Sequence, residues 1–207
     1  MSALLFITIP AGPFLMGSTS DQVAQLKARF PDLDPRLLDR ELPQHKVYLK
    51  QYQIGKYPVT VQEFSEFVQE THFVTTAEKR GFGFTFTLKF AQINGADWRH
   101  PFGPDSTIEG KERHPVTQVS WFDALAFCQW LSTKLDKSFR LPTEAEWEKA
   151  ARGVDGRIFP WGNAWNPLLL NAEYRLQDTS PVGAFSPASD SPYGVSDMAG
   201  NVRSVAK

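Results

Sequence analysis

The sequence predicts an α+β fold in which short helices pack on short strands. Three features of the chain predict it. Residues 114–163 hold two cap-bounded helical segments that carry three of the six tryptophans, Trp121, Trp130 and Trp147. Two short helices cannot bury aromatics of that size alone, so a sheet must cover them. Lys46 to Ile54 alternates apolar and polar positions, the pattern of a half-buried strand. Residues 81–113 and 164–192 keep no helical period and are rich in glycine, proline and short polar or aromatic residues, which makes them irregular.

Taken in order, residues 4–9 form an apolar first strand that ends at the Pro10 to Pro13 turn. Phe14 to Ser18 is a second short strand closing on Gly17. Residues 20–30 are helical, with Ser20 as cap and Val23, Leu26 and Phe30 on one side. Pro31 to Pro43, with three prolines and many charges, reads mainly as a surface loop. After the Lys46–Ile54 strand, Thr60-x-x-Glu63 is a capping box. It opens a helix whose Val61, Phe64, Phe67 and Val68 face the core. Residues 81–113 are either an aromatic excursion packed on the core or a loop facing a substrate, in which case Trp98 and Phe102 are the substrate-facing residues.

In the central stretch, Ser120 caps a helix and Asp123 lies near its positive end. Trp121, Ala124, Leu125, Cys128 and Leu131 recur at helical spacing as its apolar face, and Lys134 and Lys137 suit its negative end. Thr143 and Glu146 form another capping box, followed by a stripe of Trp147, Ala150 and Ala151, and Gly153 supplies the stop. Arg157 to Asn163 reads as a strand running into a turn, and Pro181 to Phe185 as a further short strand.

Composition narrows the function classes. A chain of 207 residues with 42% hydrophobic residues can bury a core as one domain spanning 1–207. The net charge of −1 and the lack of a basic block leave no footprint for nucleic acid. No apolar run reaches the ~20 residues of a membrane span, and the first residues lack a basic n-region. Cys128 is the one cysteine, so no internal disulfide forms, which accords with a cytoplasmic location. On the inward face of its helix it reads as a small hydrophobe rather than a reactive thiol. His45, His72, His100 and His114 show no i,i+4 pair, and His114 beside Pro115 reads as a loop-holding hydrogen bonder. Glu144, Glu146 and Glu148 are not a catalytic carboxylate set, since Glu146 serves the cap and the others face the helix start or solvent. No catalytic or cofactor-binding residue is assigned.

Seven motifs occur in register. They are Phe14-x-Met-Gly-Ser18, Tyr57-Pro-Val-Thr60, Trp98-Arg-His-Pro-x-Gly-Pro104, His114-Pro-Val-x-x-Val-Ser-Trp121, Arg140-Leu-Pro-Thr-Glu-Ala-Glu-Trp-Glu148, Phe159-Pro-Trp-Gly-Asn163 and Tyr193-Gly-x-x-Asp-Met-Ala-Gly-Asn-Val202. From about Phe6 to Val202 the chain resembles the formylglycine-generating enzyme family, the sulfatase-modifying factor domain. The resemblance implies an irregular α+β fold related to C-type lectins, with little regular secondary structure. It also implies one of three roles: oxidation of a sulfatase cysteine to formylglycine, non-haem iron sulfoxide synthesis, or a lectin-like binding module with a protein or peptide ligand.

The family implies calcium held by loop oxygens. By position these are Asp197 with the carbonyls of Gly200 and Val202, and Asn171 with the carbonyl of Ala172 and Asp178. Without metal the same residues are Asx turns and caps. In the family, Gly-Asn-Val continues as Trp-Glu-Trp into a segment bearing a copper-binding cysteine pair. Here Val202 is followed by Arg203-Ser-Val-Ala-Lys207, with Ser204 where the family has a calcium-ligating Glu. The expectation is a domain truncated at its C-terminus: an interrupted reading frame, a short form with its own job, or a domain completed by another chain. Copper is not expected without the paired thiols, nor is formylglycine chemistry.

Overall fold

The computed structural model describes residues 4–86, 90–172, 176–202, 204 and 206. Two segments far apart in the chain build the first layer. Strands β1 (Phe6–Ile9) and β2 (Gly12–Met16) pair antiparallel with β4 (Tyr52–Gly55) and β3 (His45–Leu49), respectively. Ile9 faces Tyr52 and Gly12 faces Leu49, so one register runs across both pairs. The ladder is interrupted at Pro10 and Ala11, where proline has no N–H to donate. The strand expected over Lys46–Ile54 is therefore two strands, broken opposite that proline.

Helices α1 (Ser20–Arg29) and α2 (Pro35–Asp39) fill the excursion between these strands. The cap of α1 is Thr19 rather than Ser20, in a reciprocal box with Gln22. The stretch read as loop contains α2, with Asp34 accepting from the Arg36 amide and Pro35 opening the helix.

Helix α3 (Val61–Thr71) follows its Thr60–Glu63 box, and its buried residues are the four that its sequence stripe picks out. A further box at Thr75 and Glu78 starts α4 (Thr76–Arg80), which leads into a hairpin of β5 (Phe82–Phe86) and β6 (Phe90–Asn94). The aromatic excursion thus begins as paired strands. Gln118 seals the outer edge of β5. Its side-chain oxygen accepts from the Phe84 amide at 3.0 Å, and its nitrogen donates to the Phe84 carbonyl at 2.9 Å and the Pro101 carbonyl at 2.7 Å.

Helix α5 (Trp121–Leu135) buries Asp123, Phe127 and Leu131, one step round from the expected face. It is apolar on most sides, so its period gives no unique inward direction. Contact with α3 decides the face: Phe127 packs with Phe64 and Phe67, and Trp130 with Phe67. The larger core joins Val61, Phe64, Phe67, Val68, Trp98, Phe127 and Leu131. Burying each such phenylalanine contributes about 1.5–3 kcal/mol.

Helix α6 (Glu144–Arg152) carries the smaller core, where Ala150 and Ala151 meet Ile9, Val195 and Met198. Its polar residues anchor the first layer. Glu148 accepts from the Gly17 amide at 2.7 Å, and Arg152 donates to the carbonyls of Gly17 at 2.7 Å and Gly156 at 3.0 Å. Glu148 and Arg152 also pair at 2.8 Å, so Glu148 does not face solvent as its sequence position suggested. Beyond α6 the described chain is mainly turns. Phe159 and Gly162 close a tight loop with two mutual hydrogen bonds, and Pro181 to Phe185 is a turn rather than the expected strand.

Candidate functional site

Cys128 lies half-buried on α5. Burial pushes its thiol pKa up, the opposite of what a nucleophilic or metal-binding thiolate needs. Among the described residues no group of three or more His, Cys, Asp and Glu side chains converges as a metal site would require.

The residues expected to face a substrate separate. Trp98 is 2% exposed and packs on Phe64 with ring centroids 5.4 Å apart, so it belongs to the core and not to a binding surface. Its neighbour Arg99 lies over the indole at 4.1 Å and pairs with Glu78 at 2.6 Å. Phe102, in contrast, is 46% exposed. Trp121 and Phe122, at the start of α5, form an edge-to-face pair at 5.3 Å, and Phe122 is 71% exposed. The Gln118 clasp on Pro101 holds the Phe102 loop to the segment that leads into α5. The helical period of Trp121 had concealed its outward position.

The residues expected to hold calcium form a hydrogen-bonded clasp. The Asn201 amide donates to the Asn171 carbonyl at 2.8 Å, and the Asn171 side chain donates to the Asp178 carbonyl at 2.7 Å. The Asn201 side chain accepts from the Ser180 amide and donates to its carbonyl. Gly200 has φ +75, and a Cβ there would fall 2.7 Å from the Asn171 oxygen, so glycine is required for this approach. The Asp178 carboxylate pairs with the Lys111 ammonium at 2.7 Å and accepts from the Thr179 amide. Against the opposing effect of burial, these contacts hold its pKa down. Asp197 accepts from the Gly183 amide at 2.6 Å, and burial raises its pKa. The Gly200 carbonyl accepts from the Val202 amide.

A calcium cage needs six to eight converging oxygens with anionic charge left over for the ion. Here one carboxylate already has a lysine and the other already serves a backbone amide. These are the contacts of turns and caps, while calcium at Asn171, Ala172, Asp178, Asp197, Gly200 and Val202 is what the resemblance implies. His114 joins the same clasp, its Nδ1 2.8 Å from the Thr179 hydroxyl, with burial lowering its pKa. It holds a loop.

Lys149 had no functional reading in the sequence. It is 1% exposed on α6, and its Nζ donates to the carbonyls of Pro10 at 2.7 Å and Gly12 at 3.0 Å. It therefore bridges the break between β1 and β2. The available signal was a lysine directly preceding the two small residues of a buried stripe. Glu146 does more than cap α6. It also binds Arg140 through two hydrogen bonds, at 2.6 and 2.7 Å, and this guanidinium together with the Thr143 amide holds its pKa at about 2. No described helix is long and apolar enough to cross a membrane.

Comparison with known proteins agrees with this fold. Residues 3–206 match the Sulfatase-modifying factor enzyme 1-like domain family. The formylglycine-generating enzyme of Mus musculus is 35% identical over 229 residues, covering 95% of this chain and 56% of that protein. The inactive C-alpha-formylglycine-generating enzyme 2 of Bos taurus is 36% identical over 226 residues, covering 95% of this chain and 68% of that protein. The solved structure of PvdO from Pseudomonas aeruginosa superposes with a TM-score of 0.65 at 29% identity, covering 93% of this chain and 66% of that one. The chain thus spans about half the length of the mouse enzyme. With nearly all of its residues matched, this chain belongs to the sulfatase-modifying factor (formylglycine-generating enzyme-like) family.

Proposed function

We propose that these 207 residues form a formylglycine-generating enzyme-like domain that does not by itself oxidise a sulfatase cysteine. The carrying observation is Cys128. The family's oxidation needs paired thiolates at one metal, and this sequence contains a single cysteine, half-buried with a raised pKa. That the family includes a relative described as inactive accords with this reading. A reducing, cytoplasmic setting suits an unpaired thiol. The test incubates the protein with a Cys-x-Pro-x-Arg peptide, copper and oxygen, and follows the peptide by mass spectrometry. The cysteine is expected to stay unconverted, and formation of the aldehyde at catalytic turnover would overturn the proposal.

A second reading, a lectin-fold module that binds a protein or peptide, is favoured by the exposed aromatics Phe102, Trp121 and Phe122. Aromatic side chains are the residues on which binding energy concentrates. The same peptide, titrated by isothermal calorimetry, is expected to bind weakly. Phe102→Ala and Phe122→Ala are expected to weaken it further. Equal affinity in both variants would exclude this surface.

A further inference from the structure

Lys149 and Arg152 are the buried cations among the described residues, and they differ in one respect. Arg152 meets the Glu148 carboxylate, whereas both partners of Lys149 are neutral carbonyls. An ammonium has three N–H donors, and the hydrogen bonds to Pro10 and Gly12 use two of them. Burial alone lowers the Lys149 pKa, with no neighbouring charge of either sign contributing.

This uncompensated cation borders a cavity of about 550 Å³ between the β1–β2 break and α6. Its lining includes Pro10, Pro13 and Leu15 from the strand side, with Val154, Tyr193 and Lys46. No acidic side chain lines it, and Lys46 adds a second positive charge on β3. The cavity is a groove open to solvent, of a volume comparable to small-molecule sites of about 300–1,000 Å³. The exposed proline and valine side chains suit an apolar body, while the lysines suit one anionic group. A buried charge without a counter-charge is costly, and a bound anion would offset that cost.

We propose that this cavity binds a small organic carboxylate, its anionic group drawn to the Lys149 and Lys46 charges and its apolar body lying against Pro13 and Val154. None of the lining residues is Phe102, Trp121 or Phe122, so this site does not depend on the peptide-binding reading. The full chain, labelled at the lysine Cε carbons, is titrated with sodium butyrate, sodium phosphate or sodium chloride at matched ionic strength and followed by NMR. Butyrate is expected to give a saturable shift of the Lys149 signal, with a Kd on the order of 1 mM, and to raise the pH midpoint of that signal. Because Lys149→Met could fail to fold, Val154→Trp is the blocking variant. It is expected to weaken butyrate binding about tenfold or more while circular dichroism and thermal melting stay native. No saturation with butyrate, an equal response to chloride, tighter binding of phosphate, or unchanged affinity in Val154→Trp would each overturn the proposal.

Discussion

Replacing Glu146 with glutamine separates the charge of this residue from its shape. Glu146 caps α6 and holds Arg140 in a two-pronged pair, and these contacts lower its pKa from 4.5 to about 2. At about 1.4 kcal/mol per unit, the shift corresponds to roughly 3 kcal/mol of stability. Arg140 is 55% exposed, so solvent screens the pair, and about 2 kcal/mol is the better figure. The folded-state pKa lies below the unfolded one. The contribution is therefore fully present above pH 4.5 and disappears as pH falls through about 2.

Urea denaturation of wild type and Glu146→Gln at a series of pH values reads this directly, because groups common to both proteins cancel in the difference. The variant is expected to be about 2 kcal/mol less stable at pH 7, and the gap to shrink steadily below pH 4.5. A gap that stays constant down to pH 2.5 would mean that the loss comes from shape or capping and not from the charge. An absent gap at pH 7 would refute the pair's role altogether.

Lys149→Met leaves the Pro10 and Gly12 carbonyls without their donor, at about 1–3 kcal/mol each, but also removes a buried charge. A net loss of about 2 kcal/mol in urea is expected, with faster amide exchange in β1 and β2. Phe64→Ala empties the centre of the larger core and is expected to cost about 3–5 kcal/mol, measured as a lower denaturation midpoint at unchanged m-value. Cys128 is expected to react with iodoacetamide more slowly than free cysteine at pH 7, since its raised pKa leaves less thiolate, and faster alkylation would contradict its burial.

Local chemistry was readable where a short motif carries its own partner. The boxes at Thr60 and Thr143 satisfy helix amides from three residues away, so both helix starts follow from the residues alone. The α3 stripe was equally plain, because its polar residues alternate with the core positions. Glu148 pairs with Arg152 one helical turn on, a contact the spacing allows, but its hydrogen bond to the Gly17 amide requires α6 to lie against the end of β2. The substrate-facing assignment rested on an irregular aromatic loop and the calcium assignment on resemblance. Packing places Trp98 against Phe64, and neighbouring donors already occupy Asp178 and Asp197.

By itself, the sequence determined the family, the helix caps, the α3 core stripe and the single thiol, because each depends on residue identity and short spacing. Tertiary structure alone decided which side of α5 turns inward. It also placed the seam in the first strand layer beneath a buried lysine and turned the 171–202 oxygens into a hydrogen-bonded clasp. Those outcomes depend on which distant segments meet, and no local period or motif encodes that meeting.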